Sequence, residues 1–439
     1  MNEKTAPRYR VGAARIPFNP PVGLPMAGYA ARTGSAQGTY DTLYVRAVTV
    51  TDGDEHTLCL LAADVLHLDT LLVAEIRSDI AARLSVNPMA IMVAATHTHS
   101  GPAGLARILL GPGSERYLGV YNPSLAQQLR ACCAEAAEAA YMARVQAQAV
   151  IGRGSASGVA GNRLNPQGTL DPHVPWIAFV DDTGNIRVCI FSLPCHPTVL
   201  SSNNRLYSAD LAGALCRRLE HDQGVEYAVC LIGAAGNIST RFTRCETSFT
   251  EVERLAAQVS QTFNFDSAPI DSQLGCAAAS TELTLALKLR DFDSLRRRLI
   301  EVEHLLSASA DSSQRATLSA EKLGLELALT TASAEAEAST VTAEVQILRI
   351  GVSLIACFPG EIFVEYGLAL RDRLPDAHIL IAGYANGYIG YVPTPEVSSG
   401  YEATMAIVAP EAGGHLVEAI LQLAQSVAHG STALASGML

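Results

Sequence analysis

The sequence predicts a mixed α/β fold, with largely parallel sheets layered with helices. Three observations point there. Short unbroken apolar runs such as Ala90–Ala95 are too brief for a typical helix, and this one meets the stop signal Gly101–Pro102, so it reads as a buried strand. A strand at 57–63, a helix at 70–84 and the strand at 90–95 make a β–α–β unit, whose default is a parallel pair with a right-handed crossover. The same alternation then recurs down the chain, and polar side chains follow the strands.

Taken in order, residues 1–35 read as irregular, being rich in Pro and Gly. Met1 to Arg10 is polar and lacks an apolar core, so no signal peptide is expected. Strands are expected at 43–51 and 57–63, the second ending on Asp64. An alanine-rich helix covers 123–143, opened by Asn122–Pro123. Strands follow at 145–153, 176–181 and 186–193, the last two joined through Asp182–Thr183–Gly184–Asn185. A helix at 209–221 leads to a strand at 227–233, a Gly-Asn-rich loop to Ser239, and a helix at 247–263.

Residues 291–336 differ in kind. Leu295, Leu299, Val302 and Leu306 recur at helical spacing, as do Leu318, Leu325 and Leu329 after a polar break. This predicts a helical hairpin inserted between strands at 279–289 and 341–349. It serves either as packing cover, or as a substrate lid or oligomer contact. The α/β pattern resumes with a strand at 352–358, a helix at 361–373, a strand at 377–383, a glycine- and tyrosine-rich loop and a closing helix at 410–428.

Composition narrows the function. A net charge of −12 argues against nucleic acid and anionic membrane surfaces as partners. No apolar run approaches the roughly 18–20 residues of a spanning helix. With 49% hydrophobic residues among 439, the chain can bury a large core, and its length alone suggests two or three domains. The ten cysteines sit mostly in apolar patterns and form no Cys-x-x-Cys pair, which predicts reduced thiols in a cytoplasmic protein over a secreted disulfide framework.

The chemistry concentrates after the strands. His97 and His99 flank Thr98, and if extended geometry persists that far both imidazoles share one face. His196 lies between Pro194 and Pro197, Asn237 and Ser239 follow the strand at 227–233, and Glu361 follows Pro359–Gly360. Tyr384, Asn386, Tyr388 and Tyr391 follow the strand at 377–383. Each has an ordinary reading: a core histidine, a loop residue, or an acid in a first helical turn. Their recurrence beyond strand ends, where open α/β sheets bind ligands, favours one shared site. Two histidines, one carboxylate and an open position make a catalytic zinc set.

Thr96-His97-Thr98-His99-Ser100-Gly101-Pro102 resembles the signature of the neutral (non-lysosomal) ceramidases, zinc amidases that split the N-acyl bond of ceramide. The resemblance runs through Gly28–Tyr29, Asp64, Asn162–Arg163, Asp171–Pro172, His196 and Ser208–Ala209–Asp210. It continues through Gly236–Asn237–Ile238–Ser239, Pro359–Gly360–Glu361, Gly383–Tyr391 and Tyr401–Glu402. Thr240 stands where the family has proline. The resemblance implies zinc on His97, His196, Glu361 and Tyr391, with His99 facing the leaving amine and Arg163 and Tyr401 lining the site. Ser239 matches a serine described in the family as a nucleophile. Zinc makes a nucleophile from water without a serine, so a substrate-binding or structural hydroxyl is the competing role. The resemblance also implies that the family's C-terminal β-sandwich domain and secretion signal are missing, leaving one catalytic domain over 1–439 with 291–336 inserted.

The expectation is therefore a zinc-dependent amidohydrolase of lipid metabolism, acting on a linear N-acyl amide by metal-activated water. Its substrate is a small or lipid-like N-acyl compound, and assembly into a homo-oligomer is left open. The rivals are an esterase, lactonase or peptide-type amidase on a smaller molecule, and a binding protein with a decayed site.

Overall fold

The computed structural model describes residues 8–107, 114–266, 268–271, 273, 275–330 and 339–428. Met1–Pro7, and the part of the 291–336 insertion from 331 to 336, lie outside the described residues.

The larger sheet contains β1 (Tyr9–Phe18), β2 (Leu43–Thr51), β3 (Thr57–Ala63), β4 (Ile91–Ala95), β5 (Val145–Ser155), β6 (His173–Asp181), β7 (Ile186–Leu193) and β8 (Val225–Ile232). Their spatial order is β8-β7-β6-β5-β1-β2-β3-β4. The second sheet contains β9 (Cys276–Ala286), β10 (Thr340–Ile350), β11 (Ser353–Cys357) and β12 (His378–Ala382), in that order. The mixed class stands, but the balance of directions is corrected. Only β3–β4, β7–β8 and β11–β12 pair in parallel, and the other neighbours within the two sheets are antiparallel. The β–α–β unit was a sound guide to β3 and β4, but consecutive strands joined by short turns run antiparallel.

The two sheets pack face to face. Leu58, Leu60 and Ala62 of β3 and Met92 and Ala94 of β4 share one core with Leu348, Ile355 and Leu380 of the second sheet. The alternate residues Cys59, Leu61, Ile91 and Val93 point the other way, into a core shared with α1 (Thr70–Leu84) and α2 (Pro123–Met142). That core also takes in α3 (Asp210–Asp222) and α4 (Phe249–Ser260). Helices α7 (Val364–Arg373) and α8 (Ala412–Ala428) cover the outer face of the second sheet. With both faces of the central strands buried, period two leaves no polar positions, which explains their unbroken apolar runs.

β1 corrects the expectation of irregular chain before residue 35. It is ten residues long and lies inside the larger sheet, between β2 and β5. Arg10, Gly12, Arg15 and Pro17 break its apolar pattern. Gly12 is required by packing, because a Cβ there would overlap the Ala140 carbonyl of α2. The insertion is confirmed as two helices, α5 (Phe292–Ala308) and α6 (Ser312–Thr330), between the antiparallel pair β9 and β10. Val302, Leu318 and Leu325 form its own small core. All ten cysteines are free, and nine are buried. Among the described residues no helix is long and apolar enough to cross a membrane.

Candidate active site at the junction of the two sheets

Backbone hydrogen bonds stitch the segments beyond the strand ends together across the two sheets. Gly383 N–H donates to the Ile232 carbonyl at 2.7 Å, and Ala95 N–H to the Tyr384 carbonyl at 3.1 Å. Asn386 completes this join: its N–H reaches the Val93 carbonyl and its Oδ1 accepts from Val93 N–H. Gly236 N–H donates to the Ile362 carbonyl at 2.8 Å, and a Cβ at Gly236 would overlap the Glu361 carbonyl. Glycine is thus needed there for close approach.

His97 and His99 meet, but not through the pleat of β4. The strand ends at Ala95 and His97 adopts φ 57°, in the left-handed region. The turn brings His99 Nε2 to 3.3 Å from His97 Nε2. Asp64 anchors the turn by accepting from Thr96 Oγ1 at 3.0 Å while paired with Arg46 at 3.2 Å. Glu361 is also corrected. It lies in a two-residue strand, Glu361–Ile362, paired in parallel with Tyr391–Val392, and α7 begins only at Val364. Its carboxylate is therefore placed by strand pairing rather than by a helix dipole.

The candidate ligand atoms converge. His97 Nδ1–H donates to the Leu66 carbonyl at 2.7 Å, and His196 Nδ1–H to the Ala235 carbonyl at 2.5 Å. Each ring then turns its Nε2 toward Glu361 Oε2, at 3.5 Å for His97 and 2.9 Å for His196. Burial, and then Arg163, pushes His196 down to about 3, so it is neutral. Glu361 is held well below the usual carboxylate range: burial opposes this, and the neighbouring His97 and His196 outweigh it. The neutral His196 imidazole and an ionised carboxylate are both electron-pair donors. Their convergence in a buried space fits a shared cation, and second partners behind the two rings are usual for metal ligands. One ring nitrogen from each of His97, His99 and His196 lies within 4.8 Å of the others, so the three could hold a metal ion.

Arg163 is buried behind this cluster. Its Nη2 donates to Tyr391 Oη at 3.0 Å and to the Gly236 carbonyl at 2.6 Å, and its Nε lies 2.7 Å from Glu402. Burial holds the Tyr391 phenol protonated, against the pull of Arg163. The Tyr401 ring lies 6.0 Å from that of Tyr391. Ser239 is buried, pairs with Gly161, and its Oγ accepts from Arg241 N–H at 3.2 Å. Arg163, Tyr391, Tyr401 and Ser239 line one cavity of about 290 Å³ with His97, His99 and Glu361, and it also takes in Leu323 of α6. Of the eight residues given roles from the sequence, seven line this cavity, and His196 joins them through Glu361.

The sequence reading assigned no role to Tyr388, Glu402, Arg241 or Arg244. Tyr388 Oη donates to Glu361 Oε1 at 2.5 Å, and burial keeps that phenol neutral. Glu402 is signalled only by its place beside Tyr401. The arginines are signalled by two cations three residues apart in an acidic chain.

A buried cluster of imidazoles and a carboxylate at the end of one cavity defines a hydrolase-type centre on a two-sheet α/β scaffold. Residues 9–269 match the family described as neutral/alkaline non-lysosomal ceramidase, N-terminal, and the chain belongs to that family. It is a ceramidase-like hydrolase of a metal-dependent family. The neutral ceramidase from Pseudomonas aeruginosa superposes with a TM-score of 0.77 at 18% identity, over 99% of this chain and 76% of that one. A ceramidase complexed with C2 gives 0.75 at 18% identity, over 99% and 77%. At this identity the likeness is one of fold. No curated protein matches the chain.

Proposed function

We propose that the chain is a zinc-dependent amidohydrolase that cleaves a linear N-acyl amide, working as one catalytic domain. The observation that carries this is the convergence of Nε2 of two imidazoles, each backed by a carbonyl at Nδ1, on Glu361 Oε2 in a buried space. His97, His196, Glu361 and Tyr391 would hold the ion. When bound, it supplies Lewis acidity at the scissile carbonyl and lowers the pKa of a water to about 7.

The protein's own groups do the rest. Arg163 carries a buried positive charge, and with the Tyr391 phenol it stabilises negative charge developing on the carbonyl oxygen. Tyr388 fixes Glu361 through Oε1, leaving Oε2 for the cluster. Burial, and then His97 and His196, keeps His99 neutral. It can therefore accept a proton from the attacking water and deliver it to the departing nitrogen. The water oxygen bonds to the acyl carbon, the carbon–nitrogen bond breaks, and the amine leaves with that proton. His99 Nδ1 has no partner among the described residues, unlike Nδ1 of His97 and His196, which favours proton transfer over ligation for this ring. Ser239 offers a hydroxyl to substrate. Tyr401 closes the site beside Tyr391.

The test is elemental analysis with amide turnover. Wild type should bind about one zinc per chain. His97→Ala and His196→Ala should each lose metal and activity while keeping the circular dichroism of the fold. Full zinc occupancy in both folded variants would overturn the ligand assignment.

A further inference from the structure

The lining of the cavity divides by chemistry. Leu323, Met405 and Ile407 belong to the apolar cluster around the second sheet. The remainder includes Arg241 and Arg244, with Ser201 and Ser202 nearby. These two arginines are bound only lightly by the protein. Arg241 Nη1 donates to the Arg163 carbonyl at 3.3 Å, and Arg244 Nη1 to the Thr198 carbonyl. Among the described residues neither has a carboxylate within ion-pair reach, whereas Arg163 has Glu402. A half-buried guanidinium with no carboxylate in direct contact is costly to keep, and the fork of N–H groups matches a carboxylate. The cost shows in Arg241, whose pKa is pushed down by burial and then by Arg163.

Taking the hydrolase reading as its basis, we propose that the amine half of the substrate is an amino acid: Arg241 and Arg244 bind its carboxylate, and the acyl chain lies against Leu323, Met405 and Ile407. The backbone joins this anion site to the reacting centre, since Arg241 N–H donates to Ser239 Oγ and Ser239 bridges to His196. The cavity, about 290 Å³, falls just below the roughly 300–1,000 Å³ of small-molecule pockets, which suits one short acyl chain. Hydrolysis would release a carboxylic acid and a free amino acid. A neutral amine half would leave both guanidinium groups without a carboxylate in direct contact.

The experiment compares N-octanoylglycine with its neutral isostere N-octanoylglycinamide, by kcat/KM and by calorimetric binding, on the metal-loaded protein. Wild type should favour the carboxylate by about 10-fold or more. The double variant Arg241→Gln/Arg244→Gln should reduce the carboxylate-to-amide ratio by about 10- to 100-fold, the range for charge-assisted hydrogen bonds. Arg241→Lys/Arg244→Lys should restore part of it, and circular dichroism and zinc content would confirm that each variant is folded. Equal use of the two ligands by wild type, or an unchanged ratio in the folded Gln variant, would overturn the proposal and leave the hydrolase reading standing. Arginine-dependent binding of the carboxylate without cleavage of either compound would uphold it and overturn amide hydrolysis instead.

Discussion

His99 is the residue on which the proposed mechanism turns. Its ring packs against Tyr29 at 4.8 Å between centroids and stands edge-on to His97 at 4.9 Å. An amine leaves poorly unless protonated, whereas an activated ester needs no such help. His99→Ala should therefore retain zinc and lose amide hydrolysis by about 10²–10⁴-fold, with much less loss on an activated ester. Equal loss on both substrates, with metal retained, would make His99 a positioning residue. Ser239 gives the contrasting case. If water is the nucleophile, Ser239→Ala should cost nearer ~10-fold than the collapse that follows loss of a covalent nucleophile. A trapped acyl group on Ser239, seen by mass spectrometry, would refute that role.

At the scale of elements, the helical hairpin is more than cover. Leu323 and Ala320 of α6 line the cavity, and Gly324 lets the helix lie against Tyr401, whose ring a Cβ there would approach to 3.0 Å. No proposed metal ligand lies in the hairpin. Leu323→Ala should therefore change the preferred acyl length while leaving zinc content as in wild type. Loss of metal from the folded variant, or an unchanged acyl-length profile, would contradict this. The apolar spacing of Leu295, Leu299, Val302 and Leu306 was enough to read the helix, because the hairpin builds a core of its own. Nothing in that spacing tells which outer residues face a cavity made by other segments.

For the molecule as a whole, stability depends on buried groups that hold distant segments in place. Asp210 is fully buried, adopts φ 49°, and accepts from the N–H groups of Val199, Leu200 and Leu211 at 3.2, 3.1 and 2.7 Å. It thereby ties the loop after His196 to α3. Burial raises its pKa from 3.8 to about 7, against the pull of those donors. A carboxyl whose folded-state pKa is raised stabilises the fold fully below its unfolded pKa, and that stability is lost as pH rises through the folded value. Asp210 should thus make stability decline between about pH 4 and pH 7, by at most ~1.4 kcal/mol per pH unit. Asp210→Asn should flatten this decline in urea unfolding across that window. Parallel profiles for the two proteins would show that Asp210 does not titrate there.

The sequence by itself determined the kinds of element, most of their bounds and the residue types of the site. Those follow from local rules: side chains alternate along a strand, and buried strands read as apolar runs. It could not reveal β1, whose Gly12, Arg10 and Pro17 answer to neighbours and solvent rather than to a period. Nor could it set the strand directions, which depend on partners far away in the chain. His97 and His99 were legible as a pair, yet they converge through a left-handed turn and not through the pleat expected of them. Glu361 was legible as a carboxylate but misplaced on a helix, because its strand partner Tyr391 lies thirty residues on. Tertiary structure alone decided that Arg163 backs Tyr391, that Tyr388 holds Glu361, and that among the described residues two arginines have no ion-pair partner. Distance and desolvation set those relations, and both are properties of the closed cavity rather than of any stretch of chain.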